Sequence, residues 1–291
     1  MDAPPKQPAI SQRVFLVGCP RSGTTLLQSM LMSHPRIESF PETKFFARGF
    51  GGRHRWMLHE TLRGGYLWYL LVHWLVENED MDWSEGYTVP MFWSKHQMVE
   101  VFRDTLDRQA IESGKDLWVE KTPRHLHFID VITEHLSEAK FVHIVRDGRA
   151  VVASMHQLAH TNPDTWGHYR PIDRVIRRWN RSVHDSLQHI SKDCHVGVGY
   201  DKLVGSPEEM LGSLASFLNV EYQATMIDSF HREARRVVKS HETWKENTVA
   251  SSSLEHRGLD KFRSVFSHEE QEYVDEHLDW STYRDLKEYL L

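Results

Sequence analysis

Cysteine is nearly absent. Cys19 and Cys194 are the two in 291 residues, too few for a disulfide framework and suited to a reducing compartment. A long apolar run is also missing. The longest, "YLWYLLVHWLV" at 66–76, falls short of the roughly 20 residues that span a membrane. The opening "MDAPPKQPAISQ" holds no apolar core for a signal peptide. Basic charge is not in excess either. A formal net charge of −6 argues against nucleic acid as a partner, so any anion site must be a local basic pocket. No internal repeat is present. These absences leave an expectation of a cytoplasmic, soluble chain, with a disordered tail over residues 1–12 and a single domain over 13–291. Hydrophobic residues at 40% and charged residues at 26% are ordinary for a globular protein.

What is present is alternation. Apolar, β-branched runs at 13–18, 36–40, 116–121, 140–146 and 194–200 read as strands. Helical patterns separate them at 24–33, 123–135, 149–158 and 172–191. This order predicts an α/β fold with a mostly parallel five-stranded sheet flanked by helices, and ligands at the carboxyl ends of the strands. Residues 45–115 break the alternation and read as a helical insertion rich in Trp and Tyr. Those aromatics either pack the insertion on the sheet or form a lid over an apolar acceptor pocket. After Tyr200 the chain reads as helices. Ser206 with Glu209, and Ser267 with Glu270, have capping-box spacing.

One further absence is the most informative. "GCPRSGTT" (18–25) has the spacing of a nucleotide-binding P-loop, and it lies between a strand and a helix as that loop must. Thr24 stands where the lysine belongs, and Arg21 appears earlier in the loop. The fold is therefore P-loop-NTPase-like, but the loop lacks the group that reaches the β- and γ-phosphates of a triphosphate. Backbone N–H groups, the helix N-terminus and the hydroxyls of Ser22, Thr24 and Thr25 remain as anion donors. Arg21 adds a charged fork. A donor with one 5′-phosphate and a transferable terminal group suits this set better than a magnesium-bound triphosphate. Cys19 in the loop reads as a small residue in a tight turn or as a thiol beside an anion site.

A second element, "IVRDGRAVVAS" (144–154), ends a strand at Arg146 and carries Ser154 eight residues later. Taken alone these are a strand-end arginine and a helix serine. Beside the first loop they form a second phosphate grip. "PRSGTTLLQ" followed by "IVRDGRAVVAS" resembles the sulfotransferase superfamily, which uses 3′-phosphoadenosine 5′-phosphosulfate. The likeness covers most of residues 13–232 and extends to the Tyr200 segment, "VGYDKLVGSPEEM". It implies that Pro20, Arg21, Ser22, Gly23, Thr24 and Thr25 hold the 5′-phosphosulfate end. Arg146 and Ser154 would hold the 3′-phosphate, and Tyr200 would help hold the nucleotide. The cytosolic members' C-terminal "RKGxxG" signature is absent, and "HRGLDKF" (256–262) is a loose substitute.

Sulfuryl transfer needs a base for the acceptor hydroxyl and positive charge around the leaving oxygens. Glu42 in "PETKFF" matches the glutamate base of heparan-type and tyrosyl-protein members. Lys121 in "VEKTP" matches a lysine that contacts the sulfuryl group, with Arg21 as a further stabilising charge. Each also has a plain reading, as a turn glutamate and a snorkelling lysine. His125 is the alternative base. In 174–186 the basic residues Arg174, Arg177 and Arg178 form a solvated helix face or add to the anion field. His156 and His160 have zinc-compatible spacing, with His168 following. Among 20 histidines chance pairs are expected, and no metal site is assigned or required. The expected function is sulfuryl transfer to a hydroxyl on an apolar, aromatic or carbohydrate acceptor. A P-loop kinase, with Asp147 on magnesium, and a non-catalytic nucleotide-binding protein of the same fold are the alternatives.

Overall fold

The computed structural model describes residues 9–51, 60–79, 94–238, 242, 244 and 258–291. Five strands form one parallel sheet: β1 (Gln12–Gly18), β2 (Ile37–Ser39), β3 (Leu117–Lys121), β4 (Lys140–Val145) and β5 (His195–Gly199), in the order β2-β3-β1-β4-β5. Every strand lies within one residue of its predicted bounds. The strands are mostly buried because both faces of the sheet are covered, and the polar residues they carry, Glu38, Glu120, Lys121 and His143 among them, are buried too. On β1, Phe15 and Val17 join one core and Val14 and Leu16 the other, all fully buried. Val14 pairs with Val119 on one side and Lys140 on the other. β1 is thus central. The chain leaves it toward β2 and β3, then crosses back to β4, which opens a crevice at its carboxyl end.

The helices between the strands are α1 (Thr24–Met32), α2 (Phe45–Gly49), α3 (Glu60–Glu79), α4 (Lys95–Glu112), α5 (Ile129–His135), α6 (Gly148–Thr161), α7 (Pro163–Trp166) and α8 (Ile172–His189). After β5 come α9 (Tyr200–Gly205), α10 (Pro207–Phe217), α11 (Thr225–Asp228) and α12 (Phe230–Val237), then helices Gly258–Val265, His268–His277 and Trp280–Lys287. The predicted insertion supplies α2, α3 and α4; its residues 52–59 and 80–93 lie outside the described residues. Leu67, Leu71 and Trp74 of α3 pack into the same core as Phe15 and Trp118, so the insertion does cover the sheet. No helix among the described residues is long and apolar enough to cross a membrane.

Three local expectations change. Of the predicted tail, residues 1–8 lie outside the described part, while Ser11 N–H donates to Asp116 O at 2.6 Å and Gln12 opens β1. The helix expected over 123–135 divides into a 3-10 turn, Pro123–Phe128, and α5. Ser206 precedes α10 but makes no side-chain cap. Its N–H is spent closing α9 on Lys202 O, and Glu209 pairs with the Lys202 ammonium at 3.0 Å instead. Ser267 and Glu270 do form their capping box, as do Ser94 and Gln97 at the start of α4.

Behind β4 and β5 lies a buried histidine group. His143 Nε2 and His195 Nδ1 are 2.8 Å apart, and His143 Nδ1 meets Ser186 Oγ at 3.2 Å. Burial, then the neighbouring His195, holds His143 well below 6.5; burial, then His189, brings His195 to about 3. Both rings fold neutral and charge when the chain unfolds. Their contribution is complete above about pH 6.5 and is lost as the pH falls toward 3. His143, which is fully buried, should lower stability by on the order of 1 kcal/mol between pH 7.5 and 5.5, and His195 acts in the same direction. Urea midpoints at pH 7.5 and 5.5 check this. Equal midpoints would refute it.

Candidate functional site

The loop after β1 is shaped by two close approaches. A Cβ on Gly18 would lie 2.5 Å from Ile144 O of β4. Gly23 has φ +95°, and a Cβ there would lie 2.4 Å from the Tyr200 ring. Only glycine fits either contact, and Gly23 also needs the left-handed conformation. Gly23 precedes α1 without a side-chain cap, so the first N–H groups of α1 remain available for an anion. Thr24 and Thr25 line the cavity above them. Ser22 is 1% exposed, and its Oγ is buried without a hydrogen-bond partner.

Arg21 also takes a left-handed backbone, with φ +73°, an unfavourable choice for a residue with a Cβ. Its guanidinium is held in place. Nε donates to Ser154 Oγ at 3.2 Å and Nη2 to Trp244 O at 3.3 Å. Arg146 Nη1 donates to Arg21 O at 3.2 Å, and the Arg146 guanidinium lies 3.9 Å over the Tyr200 ring. Arg21, Arg146, Ser154 and Tyr200 are therefore one group. Lys261, from the helix Gly258–Val265, joins them. Burial, then Arg146, lowers Arg21 to about 10. Burial, then Arg21 and Arg146, lowers Lys261. Three cations gathered against their own repulsion could take a multiply charged anion between them.

This group forms one part of the wall of a cavity of about 1250 Å³. Glu42, Lys44 and Arg124 stand elsewhere on the same wall. Lys121 does not line it. Its side chain is 1% exposed, and Nζ reaches Glu42 Oε1 at 2.6 Å. The strand end and the turn after β2 thus present a carboxylate to the cavity with an ammonium behind it. A smaller cavity of about 270 Å³ shares Glu42, Lys44 and Arg48 and is walled by Tyr69, His73 and Trp74 of α3. The insertion both packs the sheet and shapes the approach to Glu42.

The remaining candidates separate. His125 is fully buried. Nδ1 meets Glu120 Oε2 at 2.9 Å, and Nε2 accepts from Phe46 N at 3.2 Å. Both ring nitrogens are engaged away from the cavity, so His125 is not placed as a base. Arg174 donates to His168 O, and Arg177 is exposed. Arg178 does line the cavity, with Nε and Nη2 buried and unpartnered. His160 Nδ1 donates to the His156 carbonyl, and His168 lies on the cavity wall. Asp147 accepts from Arg149 N at 2.9 Å as the cap of α6. Cys19 is 4% exposed, and burial pushes its thiol up to about 11, so it is the turn residue and not a reactive thiol.

Sequence reasoning missed Arg124 and Trp244 and did not place Lys261. Arg124 stands three residues after Lys121 and was legible as an extension of that motif. Lys261 lies within the stretch 256–262, whose first two residues fall outside the described part, and no spacing ties it to Arg146. Only the fold brings them together.

Residues 13–224 match the family model described as the Sulfotransferase family. Among curated proteins, the protein-tyrosine sulfotransferase of Drosophila melanogaster is 28% identical over 221 residues, which are 74% of this chain and 39% of that protein. Protein-tyrosine sulfotransferase 1 of Danio rerio is 28% identical over 222 residues, 74% of this chain and 55% of that one. The chain spans about half the length of the curated relatives it matches. Among solved structures, the sulfotransferase domain from the Synechococcus PCC 7002 olefin synthase has a TM-score of 0.59 at 22% identity, covering 99% of this chain and 98% of that one. Mouse sulfotransferase SULT7A1, complexed with PAP, has a TM-score of 0.54 at 15% identity, covering 97% and 90%. The structural likenesses establish the fold.

Proposed function

This chain belongs to the sulfotransferase family, and we propose that it moves a sulfuryl group from 3′-phosphoadenosine 5′-phosphosulfate to an acceptor hydroxyl, with Glu42 as general base. The observation that carries this reading is one cavity walled both by the Arg21–Arg146–Lys261 group and by the Glu42 carboxylate with Lys121 behind it. The mutual repulsion of the three cations fits a nucleotide with a phosphate besides the one at the loop. Arg146, Ser154 and Lys261 would hold its 3′-phosphate. The loop N–H groups, Thr24 and Thr25 would hold the 5′-phosphosulfate end.

The donor supplies a sulfuryl group on a phosphate leaving group. The acceptor oxygen forms the new S–O bond as the S–O bond to the 5′-phosphate breaks. Glu42 takes the hydroxyl proton, and adenosine 3′,5′-bisphosphate leaves. The chain's own work is placement and charge. Loop donors sit where negative charge grows on the leaving phosphate. Lys121 fixes the Glu42 carboxylate through a contact of 2.6 Å. The chemistry calls on no metal in this reading. The relatives named protein-tyrosine sulfotransferases make a protein tyrosine the first acceptor to try, beside sugar and alkyl hydroxyls.

Thermal melting with adenosine 3′,5′-bisphosphate, AMP and Mg-ATP tests the donor. A ligand at 100 times its Kd that binds only the folded chain adds about 2.7 kcal/mol. The bisphosphate should raise Tm well above the shift with AMP. A rise with Mg-ATP alone would overturn the donor assignment in favour of a kinase. A labelled donor offered to tyrosyl peptides, oligosaccharides and alkyl alcohols then identifies the acceptor class.

A further inference from the structure

Glu120 and His125 form a fully buried polar pair in the aromatic core against the sheet. Phe15 and Phe46 pack on the His125 ring, with centroids 6.1 and 5.3 Å away. Burying a carboxylate there is costly unless its lone pairs are met, and here they are. Glu120 Oε1 accepts from Thr43 N at 3.2 Å, Thr43 Oγ1 at 2.8 Å and Thr122 Oγ1 at 2.7 Å. Oε2 accepts from His125 Nδ1 at 2.9 Å. Because His125 Nε2 accepts from Phe46 N, the ring proton is on Nδ1.

The donors come from two short segments, 43–46 and 122–125. The first begins immediately after Glu42. Thr43 N and Phe46 N are tied to Glu120 and His125, Lys44 N donates to Thr122 Oγ1 at 3.1 Å, and Phe45 N to Thr43 Oγ1 at 3.3 Å. The turn carrying Glu42 therefore has four successive backbone N–H groups fastened by this network. Lys44 is held in the left-handed region, at φ +55°, which a free loop would leave. Glu120 and Lys121 are consecutive on β3 and project to opposite faces. One anchors the backbone behind Glu42, and the other holds its carboxylate.

We infer that Glu120 and His125 are positioning residues, which set the Glu42 carboxylate against the cavity through the backbone of residues 43–46. The inference rests on the sulfotransferase reading for its catalytic consequence, and on the hydrogen bonds alone for its structural one. Glu120→Gln is the sharp variant. If its amide oxygen faces Thr43 and Thr122, its NH₂ meets His125 Nδ1. The ring proton must then move to Nε2, where it opposes Phe46 N–H. If the amide turns over, its NH₂ opposes Thr43 N–H. Either way a donor in the Glu42 turn loses its acceptor.

The experiment combines three readouts on the parent chain, Glu120→Gln and the milder Thr43→Val. The amides of Thr43, Lys44 and Phe46 should exchange slowly in the parent and at least 10-fold faster in Glu120→Gln. The Tm rise with adenosine 3′,5′-bisphosphate should be unchanged. Transfer to the best acceptor of the panel above should show kcat lowered roughly 10- to 100-fold, KM for the donor nearly constant, and the acid limb of the pH–rate profile displaced. Thr43→Val should move the same readouts less. Unchanged amide exchange and kcat in Glu120→Gln would overturn the inference, as would a joint loss of kcat and bisphosphate binding. Absence of a bisphosphate shift in the parent chain would instead count against the donor reading, and the exchange rates would still decide the positioning role.

Discussion

Glu42→Gln should lower sulfuryl transfer by roughly 10²- to 10⁴-fold, the range over which a positioned base acts, while adenosine 3′,5′-bisphosphate binds as it does to the parent. Glutamine keeps an oxygen for the Lys121 ammonium, now 2.6 Å from the carboxylate, so that contact is preserved. Alanine would remove that contact from the buried Lys121 ammonium and add a structural change to the chemical one. The glutamine variant is therefore the clean one. Single-turnover rates measured beside the bisphosphate melting shift separate the cases. A variant with parental rates would remove Glu42 from the chemistry. One that loses both rate and nucleotide binding would make it a structural residue.

The second large effect is expected at Arg146. Its guanidinium is preset by the Tyr200 ring at 3.9 Å and by Arg21 O at 3.2 Å, so little freedom is lost when it meets a phosphate. Arg146→Ala should weaken adenosine 3′,5′-bisphosphate by about 2–5 kcal/mol, between roughly thirty-fold and several thousand-fold. AMP, which lacks the 3′-phosphate, should change far less. The variant should thus erase most of the preference for the bisphosphate over AMP, as titration calorimetry with both ligands would show. Equal weakening of the two would place Arg146 at the other phosphate. The unliganded chain has a compensating gain, because removing Arg146 relieves the repulsion that adds to burial in lowering Arg21 and Lys261.

Much of this site was legible before folding because its parts are local. A glycine loop between a strand and a helix must present N–H groups, whatever the surrounding fold. The departure of Thr24 from lysine was equally visible, and it turned the reading away from a magnesium-bound triphosphate. His125 shows where such reasoning fails. A histidine four residues after Lys121 is a reasonable base by sequence, yet Glu120 and Phe46 N occupy both its nitrogens. Ser206 failed differently: its capping pattern was intact, but the end of α9 and the Lys202–Glu209 pair took the groups it needed.

The sequence by itself determined the strands, their mostly parallel sheet, the anion loop and its missing lysine. These follow from side-chain periodicity and backbone chemistry over a few residues. Tertiary structure alone decided which charges meet. Lys121 and Glu42 are 79 positions apart, and Arg21 and Ser154 133 apart. Lys261 reaches Arg146 from beyond the stretch where the fold's motifs end. No local pattern encodes such distances. They arise because a sheet with β1 at its centre gathers the ends of β1, β3 and β4 into one crevice, and long-range charge is read only there.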